Sequence, residues 1–557
     1  MDQRIILLPQ PRRLVRREGT LAVSGDLLAQ ARRTTAAPGG HSQGYHLSIA
    51  PEGVTIAASD PAGFFYAEQT LRQLLRQFPS ALPYVEIDDH PDFPARGVML
   101  DISRDKVPTI STLFALVEML AEWKINQLQL YTEHTFAYRE HRQVWADASP
   151  MTADEIRALA AFCRQRFIEL VPNQNSFGHM ERWLTRPPYR HLAEAPDGAD
   201  TPWGFRWHGP FSLCPTDPAS IDFLRGLYAE LLPNFSSRLF NVGCDETFDI
   251  GQGRSKAECD RRGVTRVYLD FLGKVNELVQ SHGRSMMFWG DIIVKKPELI
   301  AELPPGVIAM EWGYEADHPF DRDGESFASA GVPFYVCPGT SSWNSIAGRT
   351  DNAIANLRSA AEHGLKHGAI GYLITDWGDN GHLQYLPVSY LGFAAGAAFS
   401  WCLESNRDID LIAALNAHAF VDPTAVLGRV ACDLGNVYRV CPKNNVNGSA
   451  LFRVLVPPPN DANPKRHLTA ADLEAVSAAI DRAIAPLSDA GLIPDEFRNA
   501  AAMLRHAIAL AGGASGGVKA APGAIIGEHR RLWLLRNRPG GLADSAARLA
   551  PCPGVLR

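Results

Sequence analysis

Residues 239–249 read LFNVGCDETFD. An apolar run, Leu239 to Val242, stops at Gly243 and Cys244 and then delivers two adjacent acids, Asp245 and Glu246. Burial penalises both charges, and at this separation they also repel. Acids are mostly exposed, so the ordinary reading is a loop start whose carboxylates face water. The chain on either side decides between that reading and a site.

Outward from this run, seven more of the same kind can be marked. The set is RGVMLDIS (96–103), INQLQLYT (125–132), IELVPNQN (168–175), RLFNVGCD (238–245), RSMMFWGD (284–291), VIAMEWGY (307–314), VPFYVCPG (332–339) and AIGYLITD (369–376). Near-continuous apolar runs are what strands covered on both faces require. Helical patterns such as TLFALVEMLAEWK, SIDFLRGLYAELL and NAIANLRSAAEHGLK lie between most of them, although the gaps after runs five and six are short. Strands alternating with helices imply a parallel sheet, and eight units in about 300 residues imply a (β/α)8 TIM barrel. The expected fold class is therefore α/β.

Residues 1–92 carry short β-like runs (HLSIA, VTIAA) and a helix over 62–77, and end in the turn-rich DDHPDFPARG. They read as a small N-terminal α/β domain, with the barrel over 93–405. Residues 406–557 are Ala- and Leu-rich, with helices expected over 408–420, 469–486 and 494–512 and loops at VPPPNDANP (456–464) and GGASGG (512–517). This is a mostly helical C-terminal region, and three roles stay open for it: completing a homodimer, capping the site, or stabilising the barrel.

The chain has 557 residues, 46% of them hydrophobic and 21% charged, with a net charge of −7. That mild acidity argues against a nucleic-acid partner, which calls for a basic face. No run approaches the ~20 apolar residues of a membrane span, and the four-residue apolar run near the N-terminus is too short for a signal peptide. The nine cysteines form no CxxC pair, and several sit in apolar runs (Cys163, Cys244, Cys337, Cys402). They fit a reducing compartment, and a cytoplasmic location is expected.

In such a barrel, chemistry sits at the C-terminal strand ends. Here those ends carry Asp101, Ser103 and Arg104; Thr132, Glu133 and His134; Asn173, Asn175 and His179; Asp245 and Glu246; Trp289 and Asp291; Glu311, Trp312 and Tyr314; Trp343 and Asn344; and Asp376, Trp377, Asp379 and His382. Four of the eleven tryptophans fall at the ends of runs five to eight. For one tryptophan alone, core packing is the better reading. Four on one rim, among acids and amides, suit a sugar ring with its apolar faces and polar edges. His134, His179 and His382 occur singly, and neither HxH nor HExxH is present, so a metal centre is not expected. No GxGxxG follows a strand, so neither is a dinucleotide. No cofactor is expected.

At these residues the chain resembles glycoside hydrolase family 20, the β-N-acetylhexosaminidases. In that family strand four ends in His-x-Gly-Gly-Asp-Glu, where this chain has Asn241–Glu246. DPAGFFYAEQTLRQLLRQ (60–77) is similar to the family's N-terminal Gly-x-x-Tyr…Thr-Leu-x-Gln-Leu. RGVMLDISRDKVP resembles strand one with its hydroxyl-holding arginine, Arg104. PNQNSFGH (172–179) stands for Pro-Glu-x-Asp-x-Pro-Gly-His, and TDWGD (375–379) for the strand-eight Trp-x-acid. YTEHTF (131–136) and CPGTSSWN (337–344) resemble an intracellular-type branch. The resemblance covers about 45–405.

It implies an exo-acting enzyme on terminal β-linked N-acetylhexosamine, in which the substrate's own acetamido oxygen is the nucleophile. Glu246 is then the acid and base, and Asp245 orients the acetamido group. Substrate contacts are expected from Arg104, Glu133, His179, Trp289, Trp312, Trp343, Trp377 and Asp379. The departures imply that Asn173, Asn175 and Asn241 replace the family's buried acid–histidine support, and that Trp343 replaces the tyrosine which bonds the acetamido oxygen. Two rivals stay open. One is a retaining glycosidase in which Glu311 or Asp376 partners Glu246 at about 5 Å; the other is a carbohydrate-binding barrel without turnover.

Overall fold

A computed structural model of the chain describes residues 4–35, 39–441, 446–458, 467–488, 490–512 and 521–550. Most of the two loops expected at 456–464 and 512–517 lies outside the described residues.

The N-terminal part is a five-stranded sheet in the order Arg13–Ala22, Ala81–Asp89, Tyr45–Ala50, Gly53–Ala58, Arg32–Thr34. Tyr45–Ala50 alternates buried and half-buried residues, as a strand covered on one face must. Helix Pro61–Gln77 lies against this sheet. It starts where Asp60 accepts a hydrogen bond from the Gly63 amide and Pro61 opens the first turn. A buried ion pair, Lys124 Nζ to Asp89 Oδ2 at 3.0 Å, ties this unit to the rest, and Trp401 Nε1 donates to the other Asp89 oxygen. Removing one partner of such a pair costs about 3–5 kcal/mol, because the other charge stays buried.

Each of the eight marked runs forms a strand of one parallel sheet: Ala95–Asp101, Gln127–Tyr131, Glu169–Val171, Leu239–Asn241, Ser285–Trp289, Ile308–Trp312, Phe334–Cys337 and Gly371–Asp376. The eighth strand pairs with the first. The ring closes through a parallel bridge between Asn173 and Asn241, where Asn241 N donates to Pro172 O and Gln174 N to Asn241 O. The chain is thus a (β/α)8 barrel with added α/β and helical parts. Helices begin where their sequences say they should: Thr109 caps Ile110–Glu122, and Thr152 with Glu155 forms a capping box on Ala153–Arg164. The short gap after the fifth strand holds a 3-10 turn, Pro297–Glu302, whereas the one after the sixth fits a helix, Phe320–Ser329.

Strand alternation sorts the side chains into two cores. Met99, Tyr131, Val171, Met287, Trp289, Met310, Tyr335 and Leu373 fill the barrel interior. Their neighbours Leu100, Leu130, Phe288, Ala309, Val336 and Ile374 join the larger core between strands and helices. A third cluster, from Val430, Phe452, Val476, Phe497 and Leu532, is the core of the helical C-terminal part. That part includes Ala470–Ile484, Leu492–Leu510 and Pro522–Arg536. Arg538 docks it on the barrel, with Nη2 2.7 Å from Glu155 Oε1 and Nε donating to Pro108 O. Among the described residues no helix is long and apolar enough to cross a membrane. The eight described cysteines are free and buried, as small apolar side chains would be.

Candidate active site

Strand four ends at Asn241, and the backbone then turns through left-handed conformations at Gly243 (φ 69°), Cys244 (φ 70°) and Glu246 (φ 50°). Only the first is a glycine, and a Cβ there would meet Asn175 Oδ1 at 1.7 Å. Strained non-glycine residues persist where surrounding packing holds them, and they gather at functional sites. Tyr268 OH donates to Cys244 O, and Glu246 N donates to Asp291 Oδ2 at 3.3 Å. The result throws Asp245 and Glu246 into one cavity, lined also by Arg104, His179, Trp289, Trp312, Tyr314, Trp377, Asp379 and Asn447.

His179 Nε2 stands 3.3 Å from Asp245 Oδ2 and 3.4 Å from Glu246 Oε2. Burial alone would lower the His179 pKa. The Asp245 charge, joined by Glu246, outweighs it and raises the value to about 10. Arg104 closes the other side, with Nη2 3.3 Å from His179 Nδ1. Its guanidinium lies over the rings of Tyr131 and Trp377, at 4.6 and 4.9 Å. Asp101 fixes it through Oδ2 at 3.2 Å, and also accepts from the Gly378 amide, so strand one and the strand-eight loop are held together. Burial raises the Asp379 pKa to about 6 although Arg104 opposes it, and raises Asp291 to about 8 with the help of Asp245 and Glu246.

The tryptophans form walls. Trp289 and Trp377 meet at 6.0 Å between ring centroids, Trp312 stacks on Tyr314 at 5.1 Å, and Trp377 Nε1 donates to Tyr314 OH. Several buried polar atoms of cavity-lining residues have no hydrogen-bond partner among the described residues: Asp245 Oδ1, Trp289 Nε1, Trp312 Nε1 and Asn447 Oδ1. Buried polar groups are almost always paired, so this set marks a place built for a polar ligand.

Two expected contacts do not line the cavity. Glu133 sits behind Arg104, 3.2 Å from its Nε, and accepts from Tyr131 OH. Trp343 is buried edge-on behind Tyr314, at 5.0 Å and 88°; the phenol that faces the cavity comes from the end of strand six. The amides differ from expectation as well. Asn173 and Asn241 both donate to Gln129 Oε1, and Asn175 donates to Tyr131 OH, all inside the barrel. The group beside the acid pair is a histidine after all, His179. Of the other rim histidines, His134 and His382 are buried, with pKa values lowered first by burial.

Glu311 and Asp376, the rival partners of Glu246, are also placed away from the cavity. Each lies on the outward face of its strand, because Met310, Trp312, Leu373 and Trp377 take the inward positions. Glu311 Oε1 is 2.7 Å from His318 Nε2, and Asp376 accepts from Thr340, Ser342 and Ser389. Two groups have ligand atoms close enough for one cation among the described residues: His179, Asp245 and Glu246, and Glu311, His318 and Asp323. Tyr314 and Asn447 are the cavity residues that strand-end reading leaves without a role. Tyr314 lies at a strand end and is within its reach; nothing in sequence points to Asn447.

Fold and site together define a barrel with an acid pair and aromatic walls at its C-terminal face. Residues 93–359 match the model for the catalytic domain of glycosyl hydrolase family 20, and residues 10–90 match the model for that family's domain 2. The chain belongs to glycosyl hydrolase family 20. It is 26% identical over 313 residues to a β-hexosaminidase of Akkermansia muciniphila, covering 51% of this chain and 61% of that one. A β-N-acetylhexosaminidase of Cellulomonas fimi is 24% identical, covering 54% and 58%. The matched stretches thus span less than two thirds of these relatives. In fold, the chain is similar to a chitobiase of Flavobacterium johnsoniae (TM-score 0.60, 16% identity, 94% and 95% covered). It is also similar to a β-N-acetylhexosaminidase of Bacteroides fragilis (TM-score 0.57, 18% identity, 71% and 91% covered).

Proposed function

We propose that this protein removes terminal, non-reducing β-linked N-acetylhexosamine (GlcNAc or GalNAc) from small or oligosaccharide substrates, with retention and with the substrate's acetamido oxygen as nucleophile. The observation that carries the reading is the adjacent pair Asp245 and Glu246, turned by strained backbone into a tryptophan-walled cavity, while Glu311 and Asp376 face the helix layer.

In this reading the acetamido oxygen attacks C1 as the glycosidic bond breaks. Glu246 gives its proton to the leaving oxygen. Asp245 accepts a hydrogen bond from the acetamido N–H and stabilises the oxazolinium charge. Water then attacks C1, Glu246 takes its proton, and the acetamido group is restored. His179, within 3.4 Å of both acidic side chains, holds them in place. Trp289, Trp312 and Trp377 wall the ring, Tyr314 lines the same pocket, and Arg104 and Asp379 hold ring hydroxyls.

The test is release of p-nitrophenol from its β-N-acetylglucosaminide and from its plain β-glucoside, by wild type and Glu246→Gln. Cleavage of the acetamido sugar alone, abolished in the variant, is the expected result. Equal cleavage of both sugars would mean a protein nucleophile and overturn the reading, and binding without cleavage would make the barrel a lectin-like one.

A further inference from the structure

Asn447 lies about 200 residues from Glu246 in sequence and outside the residues matched to the family, yet it lines the same cavity as Arg104, Asp245, Glu246 and Asp379. It reaches there on a short strap, Val446–Ser449, that precedes helix Ala450–Leu455 of the C-terminal part. The strap is fastened at three points to barrel loops. Asn447 N donates to Glu315 Oε1 at 2.7 Å, Asn344 Nδ2 donates to Asn447 O at 3.2 Å, and Ser449 N donates to Asn344 O at 2.9 Å.

Those anchors are themselves held. Arg349 grips the Glu315 carboxylate through Nη1 and Nη2, both at 2.9 Å, and Asn380 Nδ2 donates to Asn344 Oδ1 at 3.0 Å. The strap therefore joins the loops after strands six and seven, and Asn344 links it on to the loop after strand eight. Asn447 has φ 51°, a left-handed conformation that asparagine tolerates better than most residues. The backbone of Asn447 is thus fully used, and its side chain is not. Oδ1 is buried and has no hydrogen-bond partner among the described residues. An orphaned buried acceptor is costly to leave unpaired, and one that lines a cavity is relieved by a ligand hydroxyl.

We infer that Asn447 is a substrate-contacting residue supplied by the C-terminal part, its Oδ1 accepting a hydrogen bond from a pyranose hydroxyl. This rests on the hexosamine reading above for the identity of the sugar. It gives the C-terminal part a direct share in specificity, in addition to its packing on the barrel.

Affinity tests it separately from turnover. N-acetylglucosamine is titrated calorimetrically into the full-length wild type, Asn447→Leu and Asn447→Ser, with thermal melting to verify that each variant is folded. The expected result is about 10-fold weaker binding by Asn447→Leu, in line with one lost hydrogen bond, and a smaller loss for Asn447→Ser. The 3-deoxy, 4-deoxy and 6-deoxy sugars are then titrated. One of them should bind wild type and Asn447→Leu equally, because the hydroxyl that Asn447 accepts from is gone. Equal affinity of wild type and both variants for the parent sugar overturns the inference, as does a loss that persists undiminished with every deoxy sugar. Absence of binding to wild type overturns it together with the proposed function. Binding without hydrolysis by wild type removes the proposed function and leaves the role of Asn447 standing.

Discussion

Two strand ends of this barrel carry the same kinds of side chain. After strand four, His179 meets Asp245 and Glu246; after strand six, His318 meets Glu311 and Asp323. In each trio the ligand-type atoms lie within 4.8 Å of one another. They differ in which way they face. Glu311 occupies an outward strand position and is 2% exposed, packed with His318 against helix Phe320–Ser329. Asp245 and Glu246 lie beyond the end of their strand, where positive-φ backbone frees them from strand alternation and turns them into the cavity. Composition at a strand end does not make a site; leaving the strand's alternation does.

The comparison breaks most directly at the acid pair. Glu246→Gln and Asp245→Asn should each lower kcat by about 10³-fold or more, as loss of a general acid or of charge stabilisation does. Steady-state kinetics on the p-nitrophenyl β-N-acetylglucosaminide would measure this, and near-wild-type turnover in either variant would remove the pair from the chemistry.

The next effect is that of His179. His179→Asn should cost about 10²-fold in kcat, because the two acidic side chains lose the group that positions them. It also has a pH signature. The folded pKa is raised from 6.5 to about 10, so the stability it brings is whole below about pH 6.5 and is lost as pH rises towards 10. Melting curves of the variant should therefore lie furthest below wild type at acid and neutral pH and converge with it near pH 10. A constant gap would mean that the histidine acts by packing alone.

Smaller again is the effect at the aromatic wall. Tyr314→Phe should lower kcat/KM about 10-fold, the worth of one hydrogen bond to substrate, whereas Trp343→Phe, one layer behind, should stay within about 3-fold. Reversal of that order would place Trp343 rather than Tyr314 at the sugar.

Least of all on turnover is Glu311→Gln, expected within about 3-fold of wild type. Its mark is on stability. Burial raises Glu311 from 4.5 to about 7 against the pull of His318. The native state therefore holds the proton more tightly than the unfolded chain, and wild-type stability falls as pH climbs from about 4.5 to 7, by about 2–3 kcal/mol. The glutamine variant should flatten that slope in denaturant titrations across the same range. An unchanged slope would show that Glu311 is not the group responsible.

Much of this architecture was legible in the chain. All eight apolar runs are strands of one sheet, because a barrel strand is covered on both faces and has to be apolar along its length. Three of the four rim tryptophans line the cavity. Glu133 and Trp343 sit behind the cavity lining, because a strand end tells which loop a residue begins, not how deep its side chain lies. The family resemblance makes the amides Asn173, Asn175 and Asn241 substitutes at the acid pair, whereas Gln129 and Tyr131, on a different strand, draw their side chains into the barrel interior.

By itself the sequence determined the periodicities, and through them the strands, the helices with their caps and the barrel. These follow from local conformational preference and from the need to bury apolar faces. It also determined that two acids end strand four. Only the tertiary structure decided which side chains share a cavity. That depends on where separate loops converge: Arg104 from strand one, His179 from strand three, Tyr314 from strand six and Asn447 from beyond the barrel. No local pattern records such a meeting, because its geometry is set by the closure of the ring and by the strap fastened to its loops.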